Sequence, residues 1–299
     1  MSGTPVPWTR GGSDGRRHAR LADLCGRGVD GSEHSRRALE WAAGEARLRG
    51  AVLRIVYALP IGLTRSGGPD PHVDAAARGL ADLAALARQL DRRPLTVTND
   101  IVDGLPVKVL IEESRHCALL VLGSRGHGGF ANLLLGSTAV EVTARTACPV
   151  VVVPPGADVR NRSGAVVVGV DDSTGCESAL EFAFARAAQR RARLVALQVW
   201  NLPRQFSGHS TADVDRVRSD SESLLARAVI PWQDRFPDVI VETRSIEGHV
   251  VAELAAVSAA GGEVVVVGGR GRSVVAGAFL GSVSQGLLRH AVVPVAIAR

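Results

Sequence analysis

The chain has 299 residues, enough for two domains of roughly 150 residues each. Hydrophobic residues make up 46 %, charged residues 22 % and aromatics only 4 %, which excludes a globally disordered chain and describes an α/β protein with aliphatic cores. The net charge of +5 is scattered over the N-terminus and helix ends such as QRRAR, which argues against a nucleic-acid partner; no apolar run nears the ~20 residues that cross a bilayer, which argues against a membrane partner.

In chain order, residues 1–20 (MSGTPVPWTRGGSDGRRHAR) lack the apolar core of a secretory signal and read as a disordered tail. Cys25, Cys117, Cys148 and Cys176 have no CxxC-type spacing and read as small apolar residues of a reducing compartment, so the expected location is the cytoplasm. GVDGSEHSRRALEWA at 28–42 returns as GVDDSTGCESALEFA at 169–183, offset by 141 residues. VDGLPVKVL at 102–110 is echoed by IEGHVVAEL at 246–254, and TACPVVVV at 146–153 by HAVVPVAIA at 290–298. Two glycine-rich loops, described below, repeat with an offset of 145. Four landmarks in the same order predict two homologous domains, 21–154 and 164–299, with a Pro/Gly-rich polar linker at 155–163.

The second unit is the easier to read. AVVVGVD is a strand buried on both faces, and SALEFAFARAAQRRA a helix that Ser173 can cap. RLVALQVW is the next strand; a variable loop at 201–213, matched by one at 60–73, leads to a helix around 214–230. VIVETRSIEG, then HVVAELAAVSAA with His249 packed at its start, EVVVVGG, GSVSQGLLRHA with His290 near its end, and VVPVAIA complete the alternation. Strands alternating with helices predict a parallel sheet covered on both faces, with a ligand site beyond the carboxyl ends of its strands.

The glycine loops are VLGSRGHGGFANLLLGST (121–138) and VGGRGRSVVAGAFLGSVS (267–284). In each, two glycines three apart are followed, after nine intervening residues, by Gly-Ser: Gly123, Gly126, Gly136 and Ser137, then Gly268, Gly271, Gly281 and Ser282. Physically such a loop can turn its N–H groups on an anion, and the helix N-terminus after the last glycine favours negative charge. Ser282 and Ser284 add hydroxyl donors, Arg270 a cation, and Asp171, at the end of the unit's first strand, an acceptor for ribose hydroxyls; His127 is a further candidate donor. Each piece also has a plain reading, as turn, cap or solvated surface, and a single copy would not separate the two. The P-loop pattern is missing, and the glycines follow the fourth strand rather than the first, which does not fit the dinucleotide fingerprint. No nucleophile–base set and no metal-ligand spacing can be assembled, so no catalytic residue and no metal ligand are predicted.

GVDGS, GVDDS, the glycine before the third helix and Gly-x-x-Gly-(nine)-Gly-Ser together resemble the universal stress protein family, over residues 22 to 299, in a tandem form similar to those of actinobacteria. The resemblance implies an open, Rossmann-like α/β fold: two tandem parallel five-stranded sheets of order 3-2-1-4-5 with helices on both faces. It also implies ATP, with or without Mg²⁺, in each domain. Matched residue by residue, Asp30 and Asp171 are the ribose-side acids. Gly123, Arg125, Gly126, Gly136, Ser137 and Thr138 match the first phosphate loop, and Gly268, Arg270, Gly271, Gly281, Ser282, Val283 and Ser284 the second. The resemblance further implies that TACPVVVV and HAVVPVAIA pair as an intrachain pseudo-dimer, with a homodimer beyond it.

One departure stands out. Where the second unit has AVVVGVD, the first has RLADLCGRGVD; Asp23, Gly26 and Arg27 suit a doubly buried strand poorly, so a short, distorted or frayed strand is expected, and Asp30 depends on it. Ala139 also stands where the second unit has Ser284. The function expected is that of a non-enzymatic, ATP-dependent stress-response regulator acting on an unidentified protein partner. The alternatives are a slow ATPase or phosphotransferase and a nucleotide-free interaction module.

Overall fold

The computed structural model describes residues 20–24, 33–59, 71–124, 135–159, 164–202, 211–269 and 280–299. The first half runs β1 (Arg20–Leu24), α1 (Glu33–Arg49), β2 (Val52–Leu59), α2 (Pro71–Gln89), β3 (Val97–Asp103), α3 (Pro106–Glu113), β4 (Leu119–Gly123), α4 (Ser137–Arg145) and β5 (Val150–Val153). The second runs β6 (Ala165–Gly169), α5 (Gly175–Arg190), β7 (Leu194–Trp200), α6 (Thr211–Arg235), β8 (Val241–Glu247), α7 (Val250–Ala259), β9 (Gly262–Gly268), α8 (Ser282–His290) and β10 (Val295–Ala298).

Among the described residues ten strands form one sheet, β3-β2-β1-β4-β5-β10-β9-β6-β7-β8. Each half contributes five parallel strands in the order 3-2-1-4-5, and the halves meet edge to edge where β5 and β10 run antiparallel, Val151 opposite Ala296. The two expected sheets are therefore continuous. Strand geometry divides the core by parity. Leu119, Val121, Val166, Val168, Val264 and Val266 pack on the face covered by α1, α2, α5 and α6. Their neighbours Leu120, Leu122, Ala165, Val167, Val265 and Val267 pack on the face of α3, α4, α7 and α8. Because both faces are buried, these strands are continuous aliphatic runs rather than alternating ones.

The halves also meet through α1 and α5, at positions that the 141-residue offset makes equivalent. Glu45 and Arg186 are such a pair, 0 % and 1 % exposed, and they form a salt bridge. Arg186 also reaches Glu263 of β9 at 3.0 Å and lies 4.7 Å from the Trp41 ring centre. Arg49, again equivalent to Arg190, is 2.7 Å from Glu45, with Arg190 at 3.9 Å. Burial raises the Glu45 pKa, but the Arg186, Arg49 and Arg190 charges outweigh it and hold the carboxyl at about 2.

Three local expectations need correction. The helix expected around 214–230 runs from Thr211 to Arg235, straight through Pro231. The hydrogen bond lost at that proline is offset by burial of Leu225, Val229 and Trp232, and by ring contacts among Phe184, Trp232 and Phe236. Ser173 does not cap α5: the N-cap is Thr174, without a side-chain cap bond, and the Ser173 hydroxyl donates to Asp171 Oδ1 at 2.5 Å. His249 stands at the N-cap of α7 but is exposed rather than packed.

The first strand is the largest departure. In the second half Val166 pairs with Leu194 and Gly169 with Leu197; in the first half Leu21 pairs with Leu53 and Leu24 with Val56. Leu53 and Leu194 are equivalent by the repeat, so β1 uses a segment four residues upstream of the one the repeat assigns to it. The strand is RLADL, not the glycine-containing LCGRG. Glycines weaken a central strand, and RLADL avoids both of them, although it keeps Asp23 within the strand.

Candidate functional site

Asp171 lies two residues past β6 and is half-buried. Its Oδ1 accepts the Ser173 backbone N–H at 3.0 Å as well as the Ser173 hydroxyl. This turn fixes the carboxylate at the carboxyl end of the strand and leaves Oδ2 as a further acceptor. Cys176, in the first turn of α5, is buried, and burial first, then the nearby acidic charges, push its thiol up, so it is a poor nucleophile here.

β9 ends beside β6, its Val266 opposite Val168. A Cβ on Gly268 would come 2.7 Å from the carbonyl oxygen of Gly175, the first residue of α5. The missing side chain thus lets the end of β9 press against the α5 N-terminus. Gly269 N–H donates to Ala298 O at 2.9 Å, and Gly281 N–H returns to Gly269 O at 3.3 Å, which brings both ends of the loop together. Gly281 is the extended N-cap of α8. The first helical bond, Gln285 N–H to Gly281 O, is 2.9 Å, so the N–H groups of Ser282, Val283 and Ser284 have no partner within the helix. They open α8 at the carboxyl end of the sheet, on the same side as Asp171.

Ser284 is 2 % exposed, and its hydroxyl donates to Gly268 O at 2.9 Å. The side chain therefore braces the helix against β9 and does not serve as an anion donor; only its N–H remains for that. Ser282 is exposed. Arg270 and Gly271 lie outside the described residues, as do Asp30, Arg125, Gly126 and His127 of the first half.

The first half repeats the frame. Gly123 ends β4, Ser124 N–H donates to Val153 O at 3.0 Å, and Gly136 N–H returns to Ser124 O at 2.8 Å. Gly136 is the N-cap of α4, followed by Ser137 and Thr138, and its carbonyl takes the first helical bond from Val140 at 3.2 Å. Ala139 is 5 % exposed and has no hydroxyl to brace against β4. Ser124, which no motif marks, stands where the second half has Gly269. Its Oγ is buried and has no hydrogen-bond partner among the described residues, an orphan donor at the mouth of the loop. The only sequence signal for it is a hydroxyl directly after the strand-ending glycine. Among the described residues no group of three or more His, Cys, Asp or Glu is arranged to hold a metal, and no helix is long and apolar enough to cross a membrane.

The frame has known counterparts. The family model for the universal stress protein family matches residues 27–154 and again 163–299. The universal stress proteins Rv1996 and Rv2005c of Mycobacterium tuberculosis are each 33 % identical to the chain; both comparisons span 91 % of it, and 93 % and 95 % of those proteins respectively. Among solved structures, a universal stress protein from Archaeoglobus fulgidus superimposes with a TM-score of 0.65 at 22 % identity, covering 93 % of this chain and 98 % of that one. With both halves matched by the family model and full-length relatives of the same tandem build, the chain belongs to the universal stress protein family.

Proposed function

We propose that this tandem universal stress protein is a nucleotide-dependent regulator that binds ATP at the carboxyl end of its sheet. The observation that carries this reading is the joint placement of Asp171 and the α8 N-terminus past the adjacent strands β6 and β9. Asp171 Oδ2 suits a ribose hydroxyl. The N–H groups of Ser282, Val283 and Ser284 suit phosphate oxygens, since N–H donors at a helix start favour an anion. In the first half the N–H groups of Ser137, Thr138 and Ala139 and the orphan Ser124 hydroxyl form a comparable donor set. The assigned groups bind and orient; no enzymatic step is assigned to them. Bound ATP supplies free energy that favours whichever arrangement holds it better, and a cytoplasmic protein partner would read that shift.

The test is nucleotide stoichiometry: release and quantify nucleotide from the purified chain, strip it, and titrate ATP with and without Mg²⁺. One or two equivalents are expected. Asp171→Ala should weaken the second-half site about 10- to 100-fold, the loss of hydrogen bonds to a charged acceptor at roughly 1.5–3 kcal/mol. Gly281→Val should abolish it. A protein that carries no nucleotide and takes up none would turn the reading toward a nucleotide-free interaction module.

A further inference from the structure

Cys117 and Cys148 are 31 residues apart in sequence, yet their sulfurs lie 3.5 Å apart. Cys117 follows α3, in the turn leading into β4; Cys148 follows α4, in the turn leading into β5. The two turns are already fastened together. The Ala147 N–H donates to Ser114 Oγ at 3.0 Å, and Ser114 Oγ donates to Ile111 O at 2.6 Å. Leu120 N–H reaches Pro149 O at 3.0 Å from the other side. The sulfurs therefore need only a side-chain adjustment to close to the ~2.05 Å of a disulfide. Cys117 is half-buried and reachable by a small oxidant, whereas Cys148 is 6 % exposed. In the second half the 145-residue offset puts Gly262 and Val293 at these positions, so only the first half carries thiols there.

We propose that Cys117 and Cys148 are a redox modification site, oxidised to a disulfide by a hydroperoxide and restored by a dithiol. The Cys117 sulfur attacks the terminal peroxide oxygen; the O–O bond breaks, Cys117 becomes a sulfenic acid, and the other oxygen leaves as water or alcohol. The Cys148 sulfur then attacks the Cys117 sulfur and displaces hydroxide, which takes the Cys148 proton and leaves as water. Two thiols lose two electrons and two protons, and the peroxide gains both. The order of attack follows the burial. The hydrogen bond with Cys117 and desolvation push the Cys148 thiol up, so it keeps its proton until the second step supplies a base. In the reverse step a dithiol opens the bond through a mixed disulfide and leaves as its own cyclic disulfide.

The experiment treats the reduced full-length protein with hydrogen peroxide, blocks remaining thiols with an alkylating agent, and maps the peptides by mass spectrometry. Titratable thiols should fall from four to two, with the Cys117 and Cys148 peptides joined at a loss of two hydrogen masses and separated again by dithiothreitol. Cys117→Ser and Cys148→Ala should each abolish the joined peptide, and the wild-type map stands even if a variant folds poorly. Four thiols remaining, sulfinic acid at Cys117 with Cys148 still reduced, or a bond to Cys25 or Cys176 would each overturn the proposal.

Discussion

In the second half the opening strand is Ala165–Gly169, and Asp171 stands two residues beyond it; in the first half the opening strand is Arg20–Leu24, and the matching Asp30 stands six residues beyond it. Both halves keep the same sheet order, the same loop-closing bond into a glycine N-cap, and the same helix after it. A repeat can thus preserve its motif and its frame while the strand that should carry the motif slides past it. The motif follows sequence; the strand is the segment that pairs, and here that segment is the one free of glycine.

The largest effect should come from the place where the halves differ by design of charge. Glu45 and Arg186 occupy equivalent positions with opposite charges, so each half complements the other and would repel a copy of itself. Arg186→Met leaves Glu45 and Glu263 buried without their main partner and should cost about 3–5 kcal/mol in urea unfolding. The double exchange Glu45→Arg with Arg186→Glu should recover part of that, unless Glu263 repels the new carboxylate enough to mask it.

Acid probes the same joint. The folded Glu45 pKa of about 2 lies below its ordinary 4.5, so its contribution is fully present above about pH 4.5 and is lost as pH falls toward 2. That loss amounts to about 3 kcal/mol. A Glu45→Gln variant should start less stable at neutral pH and show a flatter slope through this window in acid denaturation.

Gly268→Ala puts a methyl group 2.7 Å from a backbone carbonyl in the first turn of α5, and overpacking of this kind costs about 1–3 kcal/mol. If calorimetry finds the variant as stable as the parent, the close approach of β9 to α5 is not required. The smallest effect lies at another equivalent pair. Gly50 and Arg191 both end their helices in the left-handed region, at φ 60° and 52°. Arg191→Gly should therefore stabilise by about 1 kcal/mol and Gly50→Arg destabilise by a similar amount, read as opposite shifts of the melting temperature.

Much of this was legible in one dimension. The repeat, the element order, the aliphatic strands and the loop frame ending at Gly136 and Gly281 follow from local signals: doubly buried strands leave unbroken Val and Leu runs, and glycine marks where a chain must turn. Other features were not legible. The extension of α6 past Pro231 to Arg235 has no local signal and rests on Phe184 and Phe236 packing around Trp232. Ser173 and Ser284 read as cap and anion donor until their acceptors, Asp171 and Gly268 O, are known.

The sequence by itself determined the class of fold, its doubling and the glycines that open α4 and α8, because these rest on periodicity and on conformational demands made residue by residue. The tertiary structure alone decided which five residues form β1, that Glu45 meets Arg186, and that Cys117 lies against Cys148. Each of those is a contact between residues far apart in the chain. It exists only once both partners have been buried together, and neither partner's local sequence carries a signal for the other.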